Sequence, residues 1–255
     1  MVREQRLVFG EDAELYDRAR PSYPAALISD VVGLVGSGSR VLDAGCGTGK
    51  ATTLLAAAGL HGVGVEAHAA MGEVARRHIA GRPDWRIDIS TFEDWAPTAD
   101  DVPFDLLVSA QAWHWFAPEV SFTKAYSLLK AHGWLALWWN GPAHFDSPAR
   151  QAIDDAYRRY APEIPYRGVS GHRRPEFGPV PENAQFNQPI ERTYAWTQRY
   201  SASEWVDLLK TSSDHRMLPA AQRDQLFKAV ADTIESLGGG YEHPYLCELW
   251  AAERI

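Results

Sequence analysis

The sequence predicts an α/β fold built on a doubly wound, mostly parallel sheet, and three observations carry that prediction. Strand-like and helix-like runs alternate through about 100 residues, the pattern of successive parallel strands joined by crossover helices. The run Phe104–Ala110 is apolar almost throughout, as a strand covered on both faces must be. The glycine-rich segment Val41-Leu42-Asp43-Ala44-Gly45-Cys46-Gly47-Thr48-Gly49 stands where the first such strand gives way to a helix.

Residues 1–39 read as a polar lead-in dotted with Phe9, Tyr16 and Tyr23, followed by a helix from Pro24 to about Leu34. Pro24 suits a first-turn position, and Leu27, Ile28, Val31 and Val35 recur at helical spacing until Gly36-Ser37-Gly38 ends the run. Arg40–Asp43 is a short buried strand, Gly45–Gly49 its exit loop, and Lys50–Ala58 a helix stopped by Gly59. His61–Glu66 is the second strand, Ala69–His78 the next helix, Trp85–Ile89 the third strand and Phe104–Ala110 the fourth. Phe122–Ala131 reads as a helix and Trp134–Trp138 as the fifth strand, which closes a core over 40–140. Residues 141–200 are rich in proline around one amphipathic helix near 148–160, and read as an insertion over the sheet's ligand end. In 201–255, Ser201 with Glu204 three residues on forms a capping-box pattern. Leu226, Phe227, Val230, Ile234 and Leu237 then mark a helix ending at Gly238, and Tyr245–Ala252 a closing strand. The whole reads as one domain with these four segments.

The 255 residues are enough to bury a sizeable core, and 45% hydrophobic with 23% charged residues is ordinary for a soluble globular protein. A net charge of −8 argues against a nucleic-acid partner, whose phosphates call for a clustered basic surface. Cys46 and Cys247 make no disulfide framework, and no Cys/His spacing resembles a metal site, so no metal is expected. No stretch of 18 apolar residues occurs, which leads us to expect no membrane partner and a cytoplasmic location. No feature bears on oligomeric state.

Three nucleotide-binding loops compete for the glycine segment. The dinucleotide fingerprint G-x-G-x-x-G requires a third glycine for close helix–strand packing, and Lys50 stands there. A P-loop requires a glycine where Ala44 lies and a magnesium-binding hydroxyl where Ala51 lies. What fits is a hydrophobic pair followed by Asp-x-Gly-x-Gly-x-Gly. A sulfonium cofactor has no phosphates to cradle; it needs a backbone that lets its adenosyl and methionyl parts approach closely. Asp43 suits its ammonium group, directly or through water. Glu66, at the end of the second strand, can accept from both ribose hydroxyls. The bland alternative is an ordinary strand–helix turn with a solvated acid beyond it.

On these residues the chain resembles the class I S-adenosylmethionine-dependent methyltransferases, and within them the group related to trans-aconitate methyltransferases. Ala13–Pro24 is similar to that group's Y-D-x-x-R-P-x-Y-P segment, which implies that Tyr16 and Arg20 lie near the cofactor's methionyl end. Thr91-Phe92-Glu93 falls where the group has an adenine-contacting loop, and Ser109-Ala110-Gln111-Ala112-Trp113-His114-Trp115 resembles its S-A-Q-A-x-H-W segment. Leu208–Arg216 resembles another recurrent segment of the group. The resemblance implies a seven-stranded Rossmann-like sheet with its last strand antiparallel. It also implies S-adenosyl-L-methionine as cofactor, held by Asp43, Gly45, Gly47, Thr48, Gly49, Glu66, Ala67, Met71, Thr91, Phe92, Glu93, Ser109, Ala110 and Gln111 besides Tyr16 and Arg20.

Ligands of open α/β sheets bind outside the carboxyl ends of the strands, so the segment leaving the fourth strand should meet the glycine loop. His114, with a side chain that titrates near neutrality, is the catalytic candidate there. It can take a proton from a hydroxyl or amine, orient an already ionised carboxylate, or simply hold the loop. Trp113, Trp115, Trp139 and His144 are candidates for contact with a small-molecule acceptor, with core packing as the alternative for the tryptophans. Arg158, Arg159, Arg167, His172, Arg173 and Arg174 could pair with an anionic acceptor or be solvated surface charges. No N-P-P-[YF] segment follows the fourth strand, which speaks against base amino-methylation. Methyl transfer to a small molecule is therefore the expected activity, and a non-catalytic sensor or scaffold that binds the cofactor or its demethylated form is the alternative.

Overall fold

A computed structural model describes residues 12–101, 103–143, 145, 147–164 and 185–255. His144 and four of the six residues of the basic cluster (Arg167, His172, Arg173 and Arg174) lie outside them. Seven strands form one sheet in the order β3-β2-β1-β4-β5-β7-β6. They are β1 (Arg40–Ala44), β2 (His61–Glu66), β3 (Trp85–Ile89), β4 (Phe104–Ala110), β5 (Leu129–Pro142), β6 (Ile190–Tyr200) and β7 (Tyr241–Glu253). Strands β1 to β5 pair in parallel. The last strand is antiparallel: at its end His132 N–H donates to Arg254 O, and Arg254 N–H returns the bond to Gly133 O. The α/β class and the antiparallel last strand are as expected.

The chain divides into two compact units. One holds Ser22–Asn140, residues 185–194 and Cys247–Ile255. It contains α2 (Ala25–Val35), α3 (Lys50–Ala57), α4 (Ala69–His78) and α5 (Pro118–Leu128). Its core includes Leu42, Val65, Leu107, Leu135, Trp139 and Trp250. Five consecutive β5 residues, Leu135 to Trp139, have no exposed surface, which is why that strand carries no alternation. Helix α5 starts at Pro118, four positions before the expected Phe122, because Pro118 opens the helix after an extended Ala117. It also ends earlier than expected, since Leu129 turns extended and begins β5.

The other unit holds residues 12–21, 141–164 and Ala195–Leu246. Its helices are α1 (Ala13–Ala19), α6 (Pro148–Tyr160), α7 (Ala202–Lys210), α8 (Ser213–Arg216) and α9 (Ala220–Ser236). Asp12 caps α1, accepting from Leu15 N–H at 2.9 Å. The Ser201–Glu204 capping box is present: Glu204 N–H donates to Ser201 Oγ at 3.2 Å, and Ser201 N–H to Glu204 Oε2 at 2.8 Å. Sequence reading missed β6. It is an edge strand whose outward alternate positions are Glu191, Thr193, Ala195, Thr197 and Arg199, so its apolar signal is thin, and its charges discourage edge-to-edge pairing.

The core of this unit contains two histidines. His243 lies with its ring 4.9 Å from Trp205, and His215 stacks on Phe227 at 5.9 Å. Tyr157 Oη and His215 Nε2 are 2.6 Å apart. Burial pulls His243 down to about 3 and His215 down to about 4. In the unfolded chain both titrate near 6.5, so below that the unfolded state binds more protons and stability falls with pH. The stabilisation is whole above 6.5 and lost toward the folded values. Between pH 6.5 and about 4.5, His243 alone should remove roughly 2 kcal/mol. Urea midpoints measured across that window should fall steeply in the natural protein and less so in His243→Phe; equal slopes would place the acid sensitivity elsewhere.

Candidate cofactor and acceptor site

The glycine loop hangs from the end of β2. Gly45 N–H and Cys46 N–H both donate to Val65 O, at 2.8 and 3.0 Å, and Gly49 N–H closes the turn onto Cys46 O at 2.9 Å. Gly45, Gly47 and Gly49 all have positive φ, which side chains rarely adopt. Gly45 is also spatially constrained: a Cβ there would lie 2.5 Å from Ala112 Cβ and 3.2 Å from the Phe116 ring. The turn that follows β4 thus packs directly on the loop. At the start of α3 a Cβ on Gly49 would meet Ala75 of α4 at 3.1 Å.

Two carboxylates flank this loop. Glu66 Oε2 accepts from Gly47 N–H at 2.9 Å and Oε1 from His68 N–H at 2.8 Å. Each oxygen keeps lone-pair capacity for a further donor. Asp43 is wholly buried and accepts from Thr52 Oγ1 at 2.6 Å through Oδ2, while Oδ1 has no partner among the described residues. Burial lifts its carboxyl to about 7; the Thr52 hydrogen bond opposes the rise and the charge of Glu66 adds to it. Thr48 Oγ1 is likewise buried without a partner. Burial, with the nearby Asp43 and Glu66 charges, holds the Cys46 thiol well above its usual range. The positive-φ backbone, the donor-ready Glu66 and the unmet Asp43 and Thr48 oxygens fit a ligand that brings its own N–H and O–H donors.

The remaining predicted residues take several places. Met71 is buried, its methyl 3.7 Å from where a Gly47 Cβ would sit, and Ala67 is exposed. Ser109 Oγ donates to Ala44 O at 2.8 Å, binding the ends of β4 and β1 together; Ala110 beside it is half-buried. Thr91 Oγ1 donates to Asp94 Oδ2 at 2.8 Å in a tight turn. Phe92 faces the core, 4.9 Å from Phe116, and Glu93 Oε1 accepts from Ala117 N–H at 2.8 Å, satisfying the start of α5. Tyr16 and Arg20 belong to the helical unit, where Arg20 donates to Thr211 O at 3.0 Å and lies over the Tyr16 ring at 5.2 Å. Arg158, at the end of α6, pairs with Asp155.

After β4 the backbone turns at Gln111, a non-glycine residue with φ 60. Its N–H donates to Trp138 O at 2.9 Å and its Nε2 to Asn140 O at 3.2 Å. The short 3₁₀ turn Trp113–Trp115 follows. Trp113 is buried, its ring 5.2 Å from Phe122 and 5.5 Å from Phe116. His114 and Trp115 are half-buried with rings 4.7 Å apart. Trp139 has no exposed surface and donates its indole N–H to His114 Nδ1 at 3.2 Å. Sequence reading missed Thr52, the partner of Asp43, and Asn140, whose Nδ2 donates to Ser22 O at 2.9 Å. Asn140 had one legible signal: it is the first amide after an unbroken apolar strand.

Among the described residues no cluster of His, Cys, Asp and Glu could hold a metal ion, and no helix is long and apolar enough to cross a membrane. A family model described as a methyltransferase domain matches residues 41–133, a stretch that takes in the glycine loop, Glu66 and the turn after β4. An uncharacterized methyltransferase of Mycobacterium tuberculosis is 38% identical over 138 residues, 54% of either chain. Trans-aconitate 2-methyltransferase of Paracidovorax citrulli is 28% identical over 158 residues, 61% of this chain and 55% of that one. The chain thus spans about half the length of the curated relatives it matches. A structure from Anaeromyxobacter dehalogenans assigned as a type II methyltransferase shares the fold, with a TM-score of 0.63 at 20% identity over 91% of this chain and 97% of the other. Residues 41–133 of this chain thus match the family model of a methyltransferase domain.

Proposed function

We propose that this protein transfers a methyl group from S-adenosyl-L-methionine to a small-molecule acceptor through a carboxylate or hydroxyl oxygen. The observation that carries the reading is Glu66, whose two oxygens are already aimed by Gly47 N–H and His68 N–H beside a loop of positive-φ glycines. That arrangement suits a ribose, because a fixed carboxylate can accept from two vicinal hydroxyls without reorganising. Asp43 Oδ1 and Thr48 Oγ1 suit the ammonium end. When bound, the cofactor supplies a methyl group already activated on a cationic sulfur, so the transfer is an in-line displacement. The chain's part is then to align the acceptor and keep water away. Ala112 and Phe116 press the turn after β4 onto the loop, and His114 and Trp115 stand on that turn with surface to meet the acceptor. Trp113 and Trp139 stand behind them. A small carboxylate is the first acceptor to try, given the Paracidovorax citrulli relative.

Titration calorimetry with S-adenosylhomocysteine tests the cofactor reading. The natural chain should bind it, and Glu66→Gln should bind at least about tenfold more weakly, since a charge-assisted acceptor is replaced by a neutral one. No binding, or equal binding by the variant, counts against the assignment. Turnover of labelled cofactor with panels of small carboxylates and alcohols then tests the acceptor.

A further inference from the structure

Three consecutive residues of β5 hold the turn after β4. Trp138 O takes Gln111 N–H, Asn140 O takes the Gln111 side-chain amide, and between them the Trp139 indole reaches His114 Nδ1. An indole N–H can only donate, so Nδ1 must present its lone pair to Trp139. A neutral imidazole with its lone pair at Nδ1 carries its proton on Nε2. Moving that proton to Nδ1 would break this bond and set two N–H groups against each other, with no exposed surface at Trp139 through which water could intervene.

We infer that Trp139 is a positioning residue that holds neutral His114 as an Nε2–H hydrogen-bond donor, and so withholds it from service as a general base. The inference rests on the reading of the turn after β4 as the acceptor's side of the site. A proton leaving the acceptor would meet Nε2 already protonated and Nδ1 engaged by Trp139. The oxygen that meets His114 is accordingly one that arrives without a proton to lose, held in line by a donated hydrogen bond. This separates the two duties that sequence left open for His114 and assigns it the orienting one. It also gives buried Trp139 a task that does not require contact with the acceptor.

Nitrogen NMR on the full chain labelled with ¹⁵N-histidine tests this, at a pH about two units above the ordinary histidine range. The His114 signals are identified by their loss in His114→Gln. The expected result is a pyrrole-type Nε2 and a pyridine-type Nδ1 in the natural protein, and both nitrogens shifted toward the tautomer average in Trp139→Phe. A pyridine-type Nε2 in the natural protein overturns the proposal, as does an unchanged pattern in Trp139→Phe. Should Trp139→Phe not fold, the same bond is read from its other end. The Trp139 indole proton should move upfield in His114→Gln, which places no acceptor at the Nδ1 position, and an unmoved indole proton overturns the proposal. These shifts are recorded on the free chain, so they fail or succeed independently of S-adenosylhomocysteine binding and of turnover with the acceptor panels, which test the reading beneath them.

Discussion

Asp43→Asn should make the protein more stable at pH 8 while making it a weaker cofactor binder. The carboxyl titrates near 7 in the folded chain because it is wholly buried, against 3.8 for the ordinary group. Between those values the folded state holds a proton that the unfolded state has lost, so stability falls as pH rises through the window. Above pH 7 the buried charge costs on the order of 4 kcal/mol. An asparagine removes that cost and still accepts from Thr52, but it places an amide where Oδ1 lacks a partner, which returns part of the gain. A net gain of about 1–3 kcal/mol at pH 8 is expected, shrinking toward nothing near pH 4, by urea denaturation at both. On the proposed reading, S-adenosylhomocysteine affinity should fall at least about tenfold in the same variant, because the ammonium loses its counter-charge. In the natural chain the affinity should itself weaken as pH drops below 7, since Asp43 must shed its proton to pair. A variant no more stable at pH 8 than at pH 4, relative to the natural chain, would mean that Asp43 titrates alike in the folded and unfolded chains and that its burial carries no such cost.

Gly45→Ala should be the most damaging small substitution in the loop. Two costs combine: a left-handed φ of 72, worth about 1 kcal/mol for alanine, and a Cβ forced to within 2.5 Å of Ala112 Cβ. Neither methyl group is the tip of a flexible side chain, so the turn carrying His114 must move as a body. A loss of about 2–4 kcal/mol in denaturant is expected, together with loss of S-adenosylhomocysteine binding. Gly38→Ala is the matching control, since it has a similar φ of 81 with nothing within 4 Å of the added carbon. It should cost only about 1 kcal/mol and leave binding intact. Equal effects at the two positions would show that backbone strain alone, and not contact with the turn after β4, governs Gly45.

These expectations differ in how far each was visible in the chain itself. Strands such as Phe104–Ala110, covered on both faces, announce themselves because nothing polar interrupts them, and Ser201 with Glu204 announces a helix start because the cap is a local contact. Strand β6 was invisible for the opposite reason: an edge strand buries little, so its residues need not be apolar. Site residues divide along the same line. The positive φ of Gly45 and the strand-end place of Glu66 were legible because backbone conformation and strand-end position leave marks in sequence order. The Trp139–His114 bond joins residues 25 apart in sequence, and the Asp43–Thr52 bond is one of many a threonine could make. For Trp139 sequence left acceptor contact and core packing side by side, and the folded chain gives it no exposed surface.

The strand order also governs synthesis. Strand β7 lies between β5 and β6, yet both neighbours leave the ribosome before it. Until residues 241–253 emerge, the apolar flank of β5 has no partner on that side and β6 has none at all. The nascent chain therefore carries an open sheet edge that only a late, non-local pairing can close, which is the kind of edge that invites chaperones and penalises crowded expression. Yield from a host cell should be governed less by the half that holds the glycine loop, whose strands meet soon after synthesis, than by how quickly this one strand finds its slot.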